Sequence, residues 1–283
     1  MNFHQRLNAA LLRSAVCIGL DPDIDKLPSG MRSPDKILAF NKDIIDATFD
    51  LVGAFKPNFA FYEAHGAEGW KILEQTVRHI RSKSGEIVVI ADAKRGDIGN
   101  TANLYAQSIL QELDFDCVTL SPFMGYDSIE PFIRDEDRGA FILCLTSNDG
   151  ARDFQYFSSD REPLYRFIAE KVVLWNKHQN CGLVVGATHA KEMELTRRSA
   201  GSLPFLIPGV GAQGGDLESV VKINFDGQKI NGFINSSRAI LYASSEANFA
   251  AAAREATLDL KNQIDDILKK YKTNQHQGTK APR

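Results

Sequence analysis

The stretch Ile87-Val88-Val89-Ile90-Ala91-Asp92-Ala93-Lys94-Arg95-Gly96-Asp97-Ile98 decides how this chain folds. Its first half is a β-branched, apolar run preceded by Gly85, the pattern of a strand buried on both faces. Its second half sets two carboxylates around an amine where the strand ends. Side chains alternate along a strand, so Asp92 and Lys94 are expected on the same side, with Asp97 following in the loop. Two like charges about 4 Å apart repel by roughly 4 kcal/mol at an effective dielectric near 20. The interposed lysine offsets that repulsion only by holding all three groups in one array. On residue types alone, a salt bridge closing the strand end and a functional charge cluster stand level.

Outward from this stretch, apolar β-like runs alternate with helical patterns along the chain. The strand candidates are Val16–Asp21, Val52–Asn58, Ile87–Lys94, Cys117–Ser121, Ala140–Ser147, Gly182–Thr188, Phe205–Gly211 and Gly232–Leu241. Between them, Ser33-Pro34-Asp35 reads as an N-cap, an N1 proline and a first-turn acid, opening a helix with Ile37, Phe40, Ile44 and Leu51 on one face. Trp70, Leu73, Val77 and Ile80 recur at helical spacing, as do Leu164, Phe167, Ile168, Lys171 and Val172 before Trp175. Their aromatics read as packing residues rather than a cofactor box. Successive β–α units with near-continuous apolar strands call for a parallel sheet covered on its faces. The expected architecture is a single α/β domain over residues 1–273, a closed (β/α)8 TIM barrel. A leading helix with Phe3, Leu7, Ala10 and Leu11 on one face is expected to cap its bottom. Residues 274–283 are polar and aperiodic, and are expected to form a disordered tail.

Composition narrows the function classes. Of 283 residues, 43% are hydrophobic and 24% charged, which excludes a disordered or fibrous chain. A net charge of −3 gives no broad pull toward nucleic acid or an anionic membrane. Met1-Asn2-Phe3-His4-Gln5-Arg6 holds no apolar signal core, and no apolar run is long enough to span a bilayer, so a cytoplasmic protein is expected. Cys17, Cys117, Cys144 and Cys181 lie in or beside apolar runs and form no CxxC pair. That pattern argues for buried free thiols in a reducing compartment and against zinc.

In such a barrel the chemistry sits where strands end at their carboxyl side. Those ends carry Asp21, Lys56, Asp92 with Lys94, Ser147, Thr188 with His189, Gln213 just past strand seven, and Ser236, Ser237 and Arg238. Taken singly, Asp21 reads equally well as a turn cap and Ser147 as a helix cap. Lys56 and Lys94 are harder to dismiss, because two lysines in a barrel mouth need partners or a purpose. Pro208-Gly209-Val210-Gly211-Ala212-Gln213-Gly214-Gly215 matches GxGxxG by letter, but at the seventh unit rather than at the start of a dinucleotide fold. In a barrel, glycines there let backbone N–H groups approach a phosphate, and Arg238 supplies a charged fork beside them. A phosphorylated small molecule is the indicated ligand.

Together these residues resemble the orotidine 5′-phosphate decarboxylases, in particular the larger, single-function bacterial branch. The motif Asp-x-Lys-x-x-Asp-Ile-x-x-Thr stands as Asp92, Lys94, Asp97, Ile98 and Thr101. Phe55-Lys56-Pro57-Asn58, Leu145-Thr146-Ser147-Asn148 and Ile207-Pro208-Gly209-Val210-Gly211 flank it, and the resemblance runs from Gly19-Leu20-Asp21-Pro22 to Asn235-Ser236-Ser237-Arg238. It implies decarboxylation of orotidine 5′-monophosphate to uridine 5′-monophosphate, the last step of de novo UMP synthesis, with no metal and no organic cofactor. Lys94 would protonate C6, Asp92 would lie beside the substrate carboxylate, and Lys56 would bridge Asp92 and a ribose hydroxyl. Asp21 would bind the ribose, Ser147 the base, and Gln213 both base and phosphate as its loop closes. Pro208 would line the site, and Ser237 and Arg238 would hold the phosphate. Asp97, Ile98 and Thr101 would reach into a neighbouring subunit, which implies a homodimer with shared active sites. Ser237 stands where smaller members carry glycine, and the loop 148–161 is longer than theirs.

Three other readings compete. A metal-assisted 3-keto-hexulonate phosphate decarboxylase shares the Asp92, Lys94 and Asp97 pattern but needs an acidic ligand where this chain has Lys56. A Schiff-base aldolase would want its lysine in a less acidic setting. A non-catalytic nucleotide-binding barrel would have no use for the intact charge array.

Overall fold

The computed structural model describes residues 1–158, 162–210 and 215–278, with side chains to Thr273. Eight parallel strands close in sequence order: β1 (Val16–Leu20), β2 (Ala54–Pro57), β3 (Val88–Arg95), β4 (Cys117–Leu120), β5 (Gly139–Leu145), β6 (Cys181–Val185), β7 (Phe205–Pro208) and β8 (Gly232–Ser236). Closure is made by β1 against β8, with Val16 opposite Ile234 and Ile18 opposite Ser236. The expected barrel is therefore present.

Most strands are shorter than their apolar runs suggested, chiefly at the carboxyl end, whereas β3 keeps its length and runs one residue further, to Arg95. Asp21, Ser147 and Thr188 lie just past their strands, in loops. The largest departure is at the last strand, which stops at Ser236. Arg238–Leu241 then forms a short helix, and Ile240 and Leu241 are buried from that helix rather than from a strand. An apolar pair such as Ile240 and Leu241 after a strand can pack equally well in either geometry, so pattern alone does not separate them.

The interior and the outer shell are two distinct cores. Inside the barrel, Cys17, Ala54, Val88, Ile90, Cys117, Phe141, Val184, Leu206 and Phe233 form one cluster with Phe3, Leu7, Ala10 and Leu11 of the N-terminal helix (Phe3–Arg13). That helix thus plugs the end opposite the strand termini, as expected. It begins with a reciprocal cap, in which Asn2 accepts from the Gln5 N–H and Gln5 accepts from the Asn2 N–H. Its Arg6 pairs with Asp116, which is fully buried and also accepts from the Val89 N–H at 2.7 Å and from Arg81 at 2.9 Å. The second core lies between the strands and the outer helices. Within it, Ile37–Thr48 contributes Ile37, Phe40 and Ile44, while Gly66–Lys83 contributes Leu73, Val77 and Ile80.

Several local expectations are refined. Ser33 and Pro34 open a single 3-10 turn, Pro34–Lys36, and the helix proper starts at Ile37 and ends before Leu51. The last helix runs from Phe249 to Gly278, so its backbone continues past Asn274 into the segment expected to be a disordered tail. The four cysteines are free and buried, and burial pushes the Cys17 thiol up to about 12. Among the described residues no helix is long and apolar enough to cross a membrane.

Candidate active site

Strands β1, β2 and β3 deliver the charged groups to one end of the barrel. Lys56 sits on β2 with its Nζ 2.7 Å from Asp92 Oδ2, and both side chains are almost wholly withdrawn from solvent. Lys94 Nζ lies 2.5 Å from the other carboxylate oxygen, Asp92 Oδ1, and is half exposed toward the mouth. One carboxylate is thus shared between a buried ammonium and an accessible one. Burial opposes ionisation of Asp92, but the ammonium groups of Lys56 and Lys94 overcome it and hold the carboxyl well below the usual range. Burial likewise opposes the charge on Lys56, and Asp92 with Asp21 more than restores it, raising that lysine above its ordinary value. Asp92 and Lys56 are thus both charged at neutral pH.

Asp92 and Lys94 meet by an irregular route. In the β3–β4 ladder Ala91 stands opposite Val118 and Arg95 opposite Leu120. Asp92, Ala93 and Lys94 therefore bulge against one residue, Thr119. The bulge puts Lys94 at φ 46°, a left-handed conformation that costs an ordinary residue roughly 1–2 kcal/mol. Thr119 Oγ1 accepts from the Lys94 backbone N–H at 3.0 Å and donates to Asp92 Oδ1 at 3.0 Å. Beyond the bulge, Arg95 pairs with Glu63 and lies against the rings of Phe59 and Tyr105, 5.5 and 5.3 Å from their centroids.

At the end of β1, Asp21 keeps one buried carboxylate oxygen, Oδ1, without a hydrogen-bond partner among the described residues. Its backbone is held by Tyr242, whose hydroxyl donates to the Asp21 carbonyl at 2.6 Å and accepts from the Asp23 N–H at 2.8 Å. A buried carboxylate oxygen left empty is costly, and a ligand hydroxyl is the group that would satisfy it.

Two lobes open above these charges. One, of about 170 Å³, is lined by Asp21, Lys56, Asp92, Pro208, Ser237 and Arg238 among others. The second, of about 250 Å³, takes in Lys56, Asp92, Lys94, Thr119, Ser147 and Pro208 over an apolar floor of Leu143, Val184 and Leu206. Lys56, Asp92 and Pro208 line both, so the lobes adjoin at the charge array. Ser237 fits because β1 carries glycine beside it: a Cβ on Gly19 would stand 1.9 Å from Ser237 Oγ. The serine at this position is thus matched by a glycine on the adjoining strand.

The loop after β5 contributes through Gln155. Its Oε1 accepts from the Thr146 N–H and its Nε2 donates to Thr146 Oγ1, both at 2.8 Å, and Thr146 in turn donates to Asn148 Oδ1 at 2.6 Å. Ser147 is carried between these anchored neighbours.

The residues expected to reach a neighbouring subunit stay outside both lobes. Asp97 accepts from the Ile98 N–H at 2.8 Å, and neither it, Ile98 nor Thr101 lines them. Ile98 is instead exposed, with Leu104, Phe123 and Met124 on the loops and helix that follow β3 and β4. Gln213 lies outside the described residues. The flanks of its segment are joined, with the Gly215 N–H donating to the Gly209 carbonyl at 3.3 Å. Thr119, Tyr242 and Gln155 escaped the sequence reading. Only Thr119 carried a signal, as the one hydroxyl in the apolar strand Cys117–Leu120.

The family model for the orotidine 5′-phosphate decarboxylase / HUMPS family matches residues 14–255, which span the whole barrel and its charge array. The chain belongs to that family.

An orotidine 5′-phosphate decarboxylase of Dehalococcoides mccartyi strain CBDB1 is 48% identical over 280 residues, covering 96% of this chain and all of the relative. One of Herpetosiphon aurantiacus is 50% identical over 258 residues, covering 89% of this chain and 94% of its own. Among solved structures, the OMP decarboxylase of Leishmania donovani superposes with a TM-score of 0.83 at 36% identity, covering 94% of this chain and 98% of that one. The Asp92–Lys94 salt bridge, one of the two readings that the sequence leaves level, is present at the strand end.

Proposed function

We propose that this chain removes CO2 from orotidine 5′-monophosphate to give uridine 5′-monophosphate, without metal or organic cofactor, with Lys94 as proton donor. The observation that carries the reading is the contact of an exposed ammonium, Lys94, with a buried, ionised Asp92 inside a lobe of nucleobase size. As the C6–carboxylate bond breaks, its electron pair stays on C6 and takes a proton from Lys94 Nζ, and solvent reprotonates the amine. Before proton transfer the ammonium stabilises the carbanion electrostatically. Asp92 lies beside the departing carboxylate, and Lys56 bridges Asp92 and a ribose hydroxyl.

The remaining roles follow the two lobes. Asp21 accepts from the ribose through its empty Oδ1, Ser147 binds the base, and Pro208 lines the junction. Ser237 and Arg238 hold the phosphate, and Gln213, outside the described residues, is assigned to base and phosphate. Binding energy from the phosphate, remote from the bond that breaks, is available to lower the barrier there. Asp97, Ile98 and Thr101 complete the site of a second copy in a homodimer, which suits the apolar side chains exposed around them. The enzyme works in the cytoplasm.

A metal-assisted reaction on a related phosphosugar is the competing reading. Against it, Lys56 stands where that reaction needs an acidic ligand, and its ammonium, 2.7 Å from Asp92 Oδ2, sets a positive charge where a cation would bind. The test is the loss of pyrimidine absorbance from orotidine 5′-monophosphate with purified protein, with and without chelator. Equal turnover in both is expected. No turnover sinks the proposal, and turnover abolished by chelator favours the metal-dependent reading.

A further inference from the structure

We propose that Thr119 is a positioning residue that holds the β3 bulge so that the Lys94 ammonium stays aimed beside Asp92. The inference rests on the reading of Lys94 as proton donor and adds a determinant of how well that donor is placed.

Thr119 is the one residue of β4 facing three of β3, so residues 92–94 have no regular ladder register opposite them. Its hydroxyl is buried, and both its bonds have directions fixed by chemistry. An ionised carboxylate only accepts, so the hydroxyl hydrogen goes to Asp92 Oδ1; a backbone N–H only donates, so the Lys94 N–H enters a lone pair of the same oxygen. A single atom thereby ties the carboxylate of one bulge residue to the backbone of another. The Lys94 ammonium returns to that same carboxylate oxygen, closing a ring through Asp92, Thr119 and Lys94.

Without the hydroxyl, a backbone N–H in a mostly buried bulge loses its partner while Lys94 keeps a left-handed φ that an ordinary residue adopts only under constraint. The bulge would then relax toward a less strained path, carrying the Lys94 Cα with it. A displacement near 1 Å at a reacting group costs on the order of a hundredfold in rate. Substrate affinity, set by groups to which Thr119 makes no bond, such as Asp21 and Arg238, would be spared.

The experiment compares Thr119→Val, which keeps the shape without the hydroxyl, with Thr119→Ser, which keeps the hydroxyl. In Thr119→Val, kcat is expected to fall about 10- to 100-fold with KM changed less than about threefold, and Thr119→Ser to recover to within about threefold of wild type. A kcat for Thr119→Val within about twofold of wild type, or Thr119→Ser no better than Thr119→Val, overturns the proposal. If Thr119→Val does not fold, Thr119→Ala against Thr119→Ser makes the same comparison. Lys94→Ala is assayed alongside. Substantial activity there overturns the proton-donor reading, whereas inactivity there with a fully active Thr119→Val overturns only the role of Thr119.

Discussion

Lys56 Nζ and Asp92 Oδ2 lie 2.7 Å apart with both side chains nearly sealed from solvent. A buried ion pair is weak evidence for stability, since desolvation opposes the attraction, but removing one partner strands the other. Lys56→Met should therefore cost on the order of 3 kcal/mol of folding stability, tempered by the remaining Lys94 contact. It should also lower turnover more than a hundredfold, roughly, because Asp92 loses its anchor. Denaturant midpoints and kcat measured on one preparation check both. An unchanged midpoint would show that the pair contributes nothing net.

The same pair sets an acid limit. Asp92 is held below its ordinary value in the folded state, so its stabilisation is complete above the unfolded carboxylate value, near pH 4 by the model peptides, and is lost as pH falls through the depressed folded value. Wild type should exceed Asp92→Asn in melting temperature by a constant margin from about pH 5 to 7, narrowing below about pH 4. A margin that shrank between pH 5 and 7 would contradict the depressed state of Asp92.

Lys94→Ala should fold normally, because this side chain is half exposed and Asp92 retains Lys56. Its kcat should drop by roughly a thousandfold or more, as both the proton and the electrostatic stabilisation are lost. Circular dichroism together with decarboxylation kinetics tests this. Activity above a few percent of wild type, roughly, would remove Lys94 from its role.

Sharing of sites between subunits is tested by mixing. Lys94→Ala and Asp97→Ala proteins, each inactive alone, should regain activity after subunit exchange, since hybrid dimers hold one site with both residues intact. Exchange demonstrated by differently tagged subunits without recovery of activity would count against the shared geometry.

Gly19 and Ser237 offer a test of the phosphate end. A methyl at Gly19 meets Ser237 Oγ at 1.9 Å, so Gly19→Ala should destabilise by about 1–3 kcal/mol and raise KM. Adding Ser237→Gly should relieve most of both effects. A double variant as impaired as the single one would mean that the two residues do not compete for one space.

The barrel itself was legible in the sequence because each of its causes is local. An apolar β-branched run such as Ile87–Ala91 reads as a buried strand wherever it occurs, and its repetition with amphipathic helices leaves few topologies. Polar residues ending those runs, Asp21, Lys56, Asp92, Lys94 and Ser147, were placed at the mouth by the same logic. The apolar pattern runs on past the end of the last strand because Ile240 and Leu241 are apolar in a helix as much as in a strand.

What only the tertiary structure decided is how those charges meet. Simple alternation along β3 puts Asp92 and Lys94 on one side, but their contact at 2.5 Å is made by a bulge that alternation does not contain. That bulge is held by Thr119, on the neighbouring strand 25 residues away from Lys94. Tyr242 reaches Asp21 across 221 residues, and Gly19 leaves room for Ser237 across the β1–β8 seam. Composition and period state which groups a strand carries. The hydrogen bonds that fix their orientation come from residues distant in sequence, and closure of the barrel is what brings them into range.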